Sequence, residues 1–367
     1  MFLAVRDLRY ARGRFLLMGT VVALIAVLTV VLTALTSGLV ADGVSGLRAM
    51  PATHLAFQSG VDGDLYSQST VPVSAAAGWA ARPGVRHAAA YGSQLTRATD
   101  DRTRRPTDMA VFGMEPGSFI APHAVQGRPL GSAPDGVLVS RKLTDAGIRI
   151  GDTLIERGGT RLPVIGTVDD AMFEHVGVVY APLRTWQRIH YGLPGTPPAQ
   201  AYEQATAIAL DAARTPAGGS GHVLSKSAAY GGSPGFSAET GTMRLIKVFL
   251  YVISMFVVGA FFVVWTVQRK AEIAVVRALG GGTGYVLRDA LAQVLIVLVT
   301  ATAAGIGAGL GIARFLISSA SSAPIAIEAG PIATAGALLV VLGVLGTLAA
   351  VRRVISVDPL LALGGDR

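Results

Sequence analysis

The six histidines, His54, His87, His123, His175, His190 and His222, are the first candidates for metal or acid–base chemistry, and their spacing limits both. No two stand four residues apart, as a helix must place them to offer two imidazoles to one zinc ion, and neither H-E-x-x-H nor G-x-S-x-G occurs. Glu174 and His175 are neighbours and could exchange a proton, but the pair reads as a charged surface feature at a strand edge. Gly280–Gly284, GGGTG, has the glycine content of a phosphate loop. It lacks the Lys-Ser/Thr that would contact the phosphates and does not follow a strand, so it cannot hold ATP. The absence of cysteine excludes disulfides, a thiol nucleophile and cysteine-ligated metal or iron–sulfur centres. The sequence therefore offers no catalytic residue, no metal site and no intrinsic cofactor, and any energy must come from a partner.

The elements that must position these residues are dominated by apolar runs. Stretches at Phe15–Val40, Leu245–Val267, Ala290–Ala313 and Gly330–Val351, uncharged but for Lys247 near the start of the second, are each long enough to cross a hydrocarbon core of about 30 Å at about 1.5 Å per residue. A chain of 367 residues that is 51% hydrophobic and 15% charged belongs to the membrane class. The first run is far longer than the roughly 7–15 apolar residues of a signal peptide, so it is expected to remain as an uncleaved span. Phe2, Leu3, Val5, Leu8 and Tyr10 among the leading arginines fit a short amphipathic helix on the inner leaflet, or equally a disordered basic leader.

Basic residues orient the spans. Arg6, Arg9, Arg12 and Arg14, the stretch from Arg269 to Arg288, and Arg352 with Arg353 all flank spans on one side, which the positive-inside rule makes the cytoplasm. The net charge of +8 is thus read as cytoplasmic flanks and contact with anionic membrane lipid rather than as nucleic-acid binding. Both termini are expected inside and residues 42–243 outside.

The predicted fold class is a membrane protein: four transmembrane α-helices with a large mixed α+β extracytoplasmic domain inserted between helices 1 and 2. The predicted layout assigns residues 1–41 to the amphipathic segment and first helix, 42–243 to the outer domain and 244–267 to the second helix. It assigns 268–289 to a cytoplasmic segment, 290–316 to the third helix, 317–329 to an outer loop, 330–352 to the fourth helix and 353–367 to a cytoplasmic tail.

Within the outer domain, Val137–Ser140, Arg161–Val168 and Val176–Ala181 read as strands, while Ser74–Ala81 and Pro182–Ile189 read as short helices. Pro194–Pro198 and Ala213–Gly221 read as exposed turns, and Tyr230–Phe236 as a flexible approach to the second span. In the third span Gly305, Gly307, Gly309 and Gly311 form two overlapping small-xxx-small frames, which are expected to pack within the bundle.

Between the second and third runs lies Gln268–Gly282, QRKAEIAVVRALGGG. Ile273, Val276 and Leu279–Gly280 follow helical spacing, with Arg269, Lys270, Glu272 and Arg277 elsewhere around the cylinder. A short amphipathic helix at a membrane face is a docking surface. The string R-K-x-E-I-A-V-x-R-A-L-G, Arg269 to Gly280, resembles the coupling segment of the MacB/FtsX/LolC-type permeases of ABC transporters. Asp358-Pro359-Leu360-Leu361-Ala362-Leu363 is similar to the ending of many of them. Gly136–Leu143, Gly151–Leu154 and Val164–Val168 resemble, more weakly, the strand–helix–strand core of their outer domain.

The resemblance implies a bacterial cytoplasmic-membrane permease whose residues Arg269, Lys270, Glu272, Arg277, Leu279 and Gly280 dock a cytoplasmic ABC ATPase. That partner would bind ATP and Mg. An ATPase dimer needs two coupling segments and one chain supplies one, so a permease homodimer with two ATPase copies is expected.

The spans carry almost no ionisable group, which disfavours a hydrophilic cargo crossing mid-membrane. Family members, as the resemblance implies, move amphiphiles from the outer leaflet or transmit force to cell-wall hydrolases; by layout the chain is most similar to small Gram-positive haem-efflux (HrtB-like) permeases. Haem needs His, Met, Tyr or carboxylate donors and cations for its propionates. The outer ends of spans one and two offer Met50, His54, Glu239, Met243, Arg244 and Lys247. The expected function is efflux of an amphiphile, with haem the first choice. The alternatives are an FtsX-type transmitter acting on a cell-wall hydrolase, or an exporter of an antimicrobial peptide, macrolide or lipoprotein.

Overall fold

The computed structural model describes residues 12–192, 198–216, 221–268, 283–319 and 324–355. The chain forms two compact units, one of residues 39–240 and one made from the segments on either side of it. In order, the elements are α1 (Arg12–Ala49), β1 (His54–Phe57), α2 (Leu65–Gln68), β2 (Val71–Pro72), α3 (Ala75–Ala80), β3 (Val85–Asp100) and β4 (Pro106–Met114). Then come β5 (Gln126–Gly127), β6 (Val137–Ser140), α4 (Arg141–Asp145), β7 (Thr153–Glu156), β8 (Arg161–Val168), β9 (Met172–Phe173), β10 (Val176–Pro182) and α5 (Leu183–Tyr191). The last are β11 (Gln204–Ala205), β12 (Ala207–Ala212), β13 (His222–Ser225), α6 (Lys226–Ala229), α7 (Pro234–Gln268), α8 (Thr283–Ser319) and α9 (Ala329–Ile355). Among the described residues four helical stretches, Phe15–Ala49, Gly235–Phe261, Leu291–Ser319 and Ala329–Ala349, are long and apolar enough to cross a membrane. A mixed-sheet domain lies between the first and the second, which is the architecture predicted.

The outer unit is built on one mixed sheet, ordered β13-β1-β12-β3-β4-β10-β6-β8-β5, with β7 bridging β3 and β8. β6 and β8 are parallel, as are β4 and β10; the other ladders are antiparallel. The central strands are buried on both faces, so their sequences are continuous apolar runs rather than alternating ones. Ala110, Phe112, Leu138, Val178 and Tyr180 point into one core, where they meet Val44 and Leu47 from the outer end of α1. Met109, Val111, Val139, Val179 and Ala181 point into the other, beneath Leu143 of α4 and Trp186 of α5. Trp186 is seated on cross-strand neighbours Gly92 and Gly113: a Cβ at either would lie 2.2 or 2.3 Å from its atoms. α5 stops because Gly192 turns left-handed at its C-terminus.

Two segments differ from the sequence reading. α1 is helical to Ala49, beyond its apolar run, because Val44 and Leu47 continue its inward face into the domain core. Tyr230–Phe236, expected as a flexible approach, takes helical turns. A single 3-10 turn leads straight into α7, held by the Ser237 hydroxyl donating to the Gly231 carbonyl at 2.6 Å and by edge contact of Tyr230 with Phe236.

The membrane unit packs through small residues. Gly305 and Gly309 of α8 bring its backbone against Ala23, Ala26 and Val30 of α1, whereas Gly307 and Gly311 face open space. The predicted glycine face is thus the i, i+4 pair and not all four residues. Gly336 and Gly343 of α9 receive Ile306 and Leu298 of α8, and Gly346 meets the Met255 carbonyl of α7. Leu16, Leu24, Phe249, Phe256, Phe315 and Val341 point outward. No charged side chain is buried among the described residues of this unit.

Candidate functional site

The outer-end residues singled out in the sequence have different fates. Met50 follows the last residue of α1 and lies in the outer-domain core with Leu47. The Lys226 ammonium donates to the carbonyls of Arg48 and Met50 at 2.9 and 3.0 Å, capping the free C-terminal carbonyls of α1. Burial, the main influence, pushes this ammonium below its ordinary pKa. His54 is buried in β1, whose neighbours β12 and β13 close over both edges. Its Nδ1 lies 2.9 Å from the Thr53 hydroxyl and its Nε2 3.2 Å from that of Thr215, and burial lowers its pKa. Both imidazole nitrogens are engaged, so His54 and Met50 serve the domain interior rather than a ligand surface. Their distance from α1 in sequence suggested the membrane boundary; the extra turns of α1 carry them into the domain instead.

On α7, Glu239 is half-exposed, and its carboxylate oxygens lie 3.0 and 3.1 Å from Nε2 of His175. Met243 and Lys247, each one turn further along, are partly buried, and Arg244 is exposed. The structure therefore brings Glu239 to His175, a partner the sequence reading had placed at a strand edge.

His175 and Glu174 form the two-residue turn between β9 and β10, where Phe173 pairs with Val176. Both take positive φ, 49° for Glu174 and 66° for His175. A tight hairpin of this twist requires such angles, and Asn-Gly normally supplies them. A non-glycine residue held there stores about 1 kcal/mol or more. The surroundings over-determine the turn. The Glu174 N–H donates to the Gly43 carbonyl at 2.9 Å, the His175 N–H to the Asp42 carbonyl at 3.2 Å, and the Met172 N–H to the Ser45 hydroxyl at 2.9 Å. On the other side Gly235 leaves room for the Glu174 carboxylate, which a Cβ would approach to 2.5 Å. Burial is the largest influence on Glu174 and raises its carboxyl above the usual range, against the opposing pull of His175. The only sequence signal was a charged dipeptide between apolar strands at a place where a turn was needed.

A concavity of about 1380 Å³ opens between Gln94, Thr96, Arg97, Glu156, His190 and Tyr191 and is also lined by Glu174 of the turn. Its polar groups satisfy one another. His190 Nδ1 is 3.2 Å from Gln94, Thr96 donates to Glu156 at 2.7 Å, the Gly158 N–H donates to the other Glu156 oxygen, and Arg97 chelates Asp108. These contacts hold β3, β7 and α5 together. The coupling residues Arg269, Lys270, Glu272, Arg277, Leu279 and Gly280 lie outside the described residues.

Comparison with known proteins gives this layout a family. Residues 15–217 match the MacB-like periplasmic core domain and residues 244–359 the FtsX-like permease C-terminal domain. A Staphylococcus haemolyticus protein named as a hemin transport system permease, HrtB, is 21% identical over 366 residues, covering 100% of this chain and 99% of its own. An ABC transporter permease of Mycobacterium tuberculosis is 24% identical over 380 residues, with the same coverage. Among solved structures, the periplasmic region of MacB from Actinobacillus actinomycetemcomitans aligns with a TM-score of 0.36 at 14% identity, over 50% of this chain and 93% of that one. With both halves matched in order, four apolar helices and an extracytoplasmic sheet domain, this chain belongs to the MacB/FtsX-type family of ABC transporter permeases.

Proposed function

We propose that the chain is the membrane subunit of an efflux system that takes an amphiphile, haem first among candidates, from the outer leaflet. It works as a homodimer with two cytoplasmic ATPase subunits that bind ATP and Mg. The observation that carries the cargo class is the membrane unit itself. Among the described residues its buried polar side chains are Thr29, Thr33, Ser254, Gln293, Thr302 and Thr347, and no buried charge there would guide a hydrophilic solute through the bilayer. Thr29 and Thr347 donate back to their own helix carbonyls. Outward-facing Leu245, Phe249, Ile253 and Phe256 on α7 suit lipid or a second copy. The hemin-transport name of a full-length relative makes haem the first amphiphile to try.

Of the residues first considered, Glu239, Met243, Arg244 and Lys247 on the outer end of α7 remain as cargo contacts. The coupling surface is assigned to Arg269, Lys270, Glu272, Arg277, Leu279 and Gly280. The test is titration of the purified chain in nanodiscs with haem. A Soret band that weakens or shifts in Glu239→Ala and Met243→Ala, at unchanged expression, supports the assignment. An unchanged spectrum in both discards these contacts, and no haem binding leaves a permease for a peptide, macrolide or lipoprotein. A cell-separation defect on deletion, without sensitivity to any amphiphile, would favour a transmitter acting on a cell-wall hydrolase.

A further inference from the structure

The Glu174–His175 turn is strained, short and held from two sides, which is more than a strand connection needs. We propose that it is a latch that ties the outer ends of α1 and α7 to β10, and that cargo opens it by competing for Glu239. The inference rests on the efflux reading above.

Three observations on residues 39–240 carry it. First, the turn residues are Glu and His where strain-free glycine or asparagine is usual, and their side chains are the ones that reach α7. Second, each side of the turn holds a different span end. Backbone N–H groups donate to Asp42 and Gly43 of α1, while the His175 ring meets both carboxylate oxygens of Glu239 on α7. The two helix ends also touch each other where Phe236 packs on Gly43, whose added Cβ would lie 3.2 Å away. Third, β10 runs from this turn between β4 and β6, so a displacement of the turn is delivered to the middle of the sheet.

The chemistry of opening follows from what His175 faces. The carboxylates of Asp42, Glu174 and Glu239 act on it electrostatically, but only Glu239 is bonded to its ring. A ligand that takes both oxygens of the Glu239 carboxylate, which Nε2 of His175 contacts at 3.1 and 3.0 Å, displaces the imidazole. Closed latch and cargo bound in this way are exclusive states, and cargo shifts the equilibrium through its unequal affinity for the two. α7 is the helix released, because the backbone bonds to α1 do not depend on any side chain of the turn. His175 is a positioning residue in this scheme, and Glu239 is shared between positioning and binding.

The chain's lack of cysteine makes the test direct. Spin labels on Asp170→Cys with Ala238→Cys, exposed positions near His175 and Glu239 in the chain, leave both latch residues in place, and labels on Asp62→Cys with Arg157→Cys, exposed positions of the same domain, serve as the control. In the full-length chain in complex with its ATPase, the 170/238 separation measured by pulsed electron paramagnetic resonance should be short at rest and gain a longer component during ATP turnover with haem in nanodiscs, while the control separation is unchanged. His175→Leu should show the longer component and raised ATP hydrolysis without haem, whereas His175→Lys, which keeps a hydrogen-bond donor for Glu239, should retain the resting separation and the response to haem. The latch is overturned if the 170/238 separation does not change during turnover, or if His175→Leu responds to haem like the wild type. A wild-type complex without cargo-dependent hydrolysis removes the efflux reading, and the latch with it. A responsive wild type with an invariant 170/238 separation removes the latch alone.

Discussion

The two units of this protein use glycine and large side chains in opposite ways. In the outer domain the largest side chains, Trp186, Tyr91, Phe57 and Phe112, are fully buried, and glycine serves to seat them. In the membrane unit several of the large side chains, Phe249, Phe256 and Phe315 among them, face outward, and glycine lets helix backbones meet. The difference follows from the solvent. Water drives apolar surface inward, so the domain gains by burying its biggest groups. Lipid tails are as apolar as leucine, so the spans associate through close packing, and small residues permit it.

The sharpest way to break this comparison is to delete one large side chain in each unit. Trp186→Ala should destabilise the outer domain by about 3–5 kcal/mol, since its seat on Gly92 and Gly113 cannot collapse around the cavity. Phe315→Ala, on the outer face of α8, should change the stability of the membrane unit by less than about 1 kcal/mol. Denaturant titration followed by tryptophan fluorescence and by helical circular dichroism separates the two. Equal losses would mean that the membrane unit is held by the same forces as the domain.

The converse change enlarges a small residue. Gly305→Val would place a Cβ 2.4 Å from the Ala23 carbonyl and should destabilise the α1–α8 contact by about 1–3 kcal/mol. Gly307→Ala and Gly311→Ala, in open space on the same helix, should be neutral or stabilising by up to about 1 kcal/mol. Retention of a native helical signal in mixed micelles of rising denaturing-detergent content measures all three.

How much of this was legible in the sequence depended on where each contact partner lay. The spans showed as uncharged runs because lipid imposes a one-dimensional rule on the chain. β6 and β8 showed because Val137–Ser140 and Arg161–Val168 carry β-branched residues between turn signals. β3, the longest strand, did not, since its Ala88-Ala89-Ala90, Gly92 and polar second half have little strand preference and are held in place by β4, β12 and β7 on either side. The candidate site was half legible. Glu239 was marked as an outer-boundary charge, but its partner His175 comes from the tip of a hairpin that no turn residue announced. His54 looked available only because Thr215, the second of its two partners, is far away in the chain.

The smallest expected effect concerns the domain's charged surface. Arg102 donates to both oxygens of the buried Asp152 at 2.8 and 2.9 Å, and this bond is the chief reason that the carboxyl sits below its ordinary pKa. A depressed folded-state pKa adds stability that is complete above the unfolded-state value near about 4 and is lost as pH falls through the folded one. Arg102→Ala should therefore lower the thermal midpoint at neutral pH, and the two melting curves should converge as pH drops below about 4. A gap that widens in acid would show that the pair is not the source of the difference.

The central claim, that this chain is a permease powered from outside itself, is tested most directly by ATP hydrolysis. The purified chain is measured alone and then in nanodiscs with its ATPase, with haem added. The account predicts no hydrolysis by the chain alone and a rate in the complex that rises with haem. Hydrolysis by the chain without a partner, or a complex whose rate ignores haem and every other amphiphile tried, would contradict it.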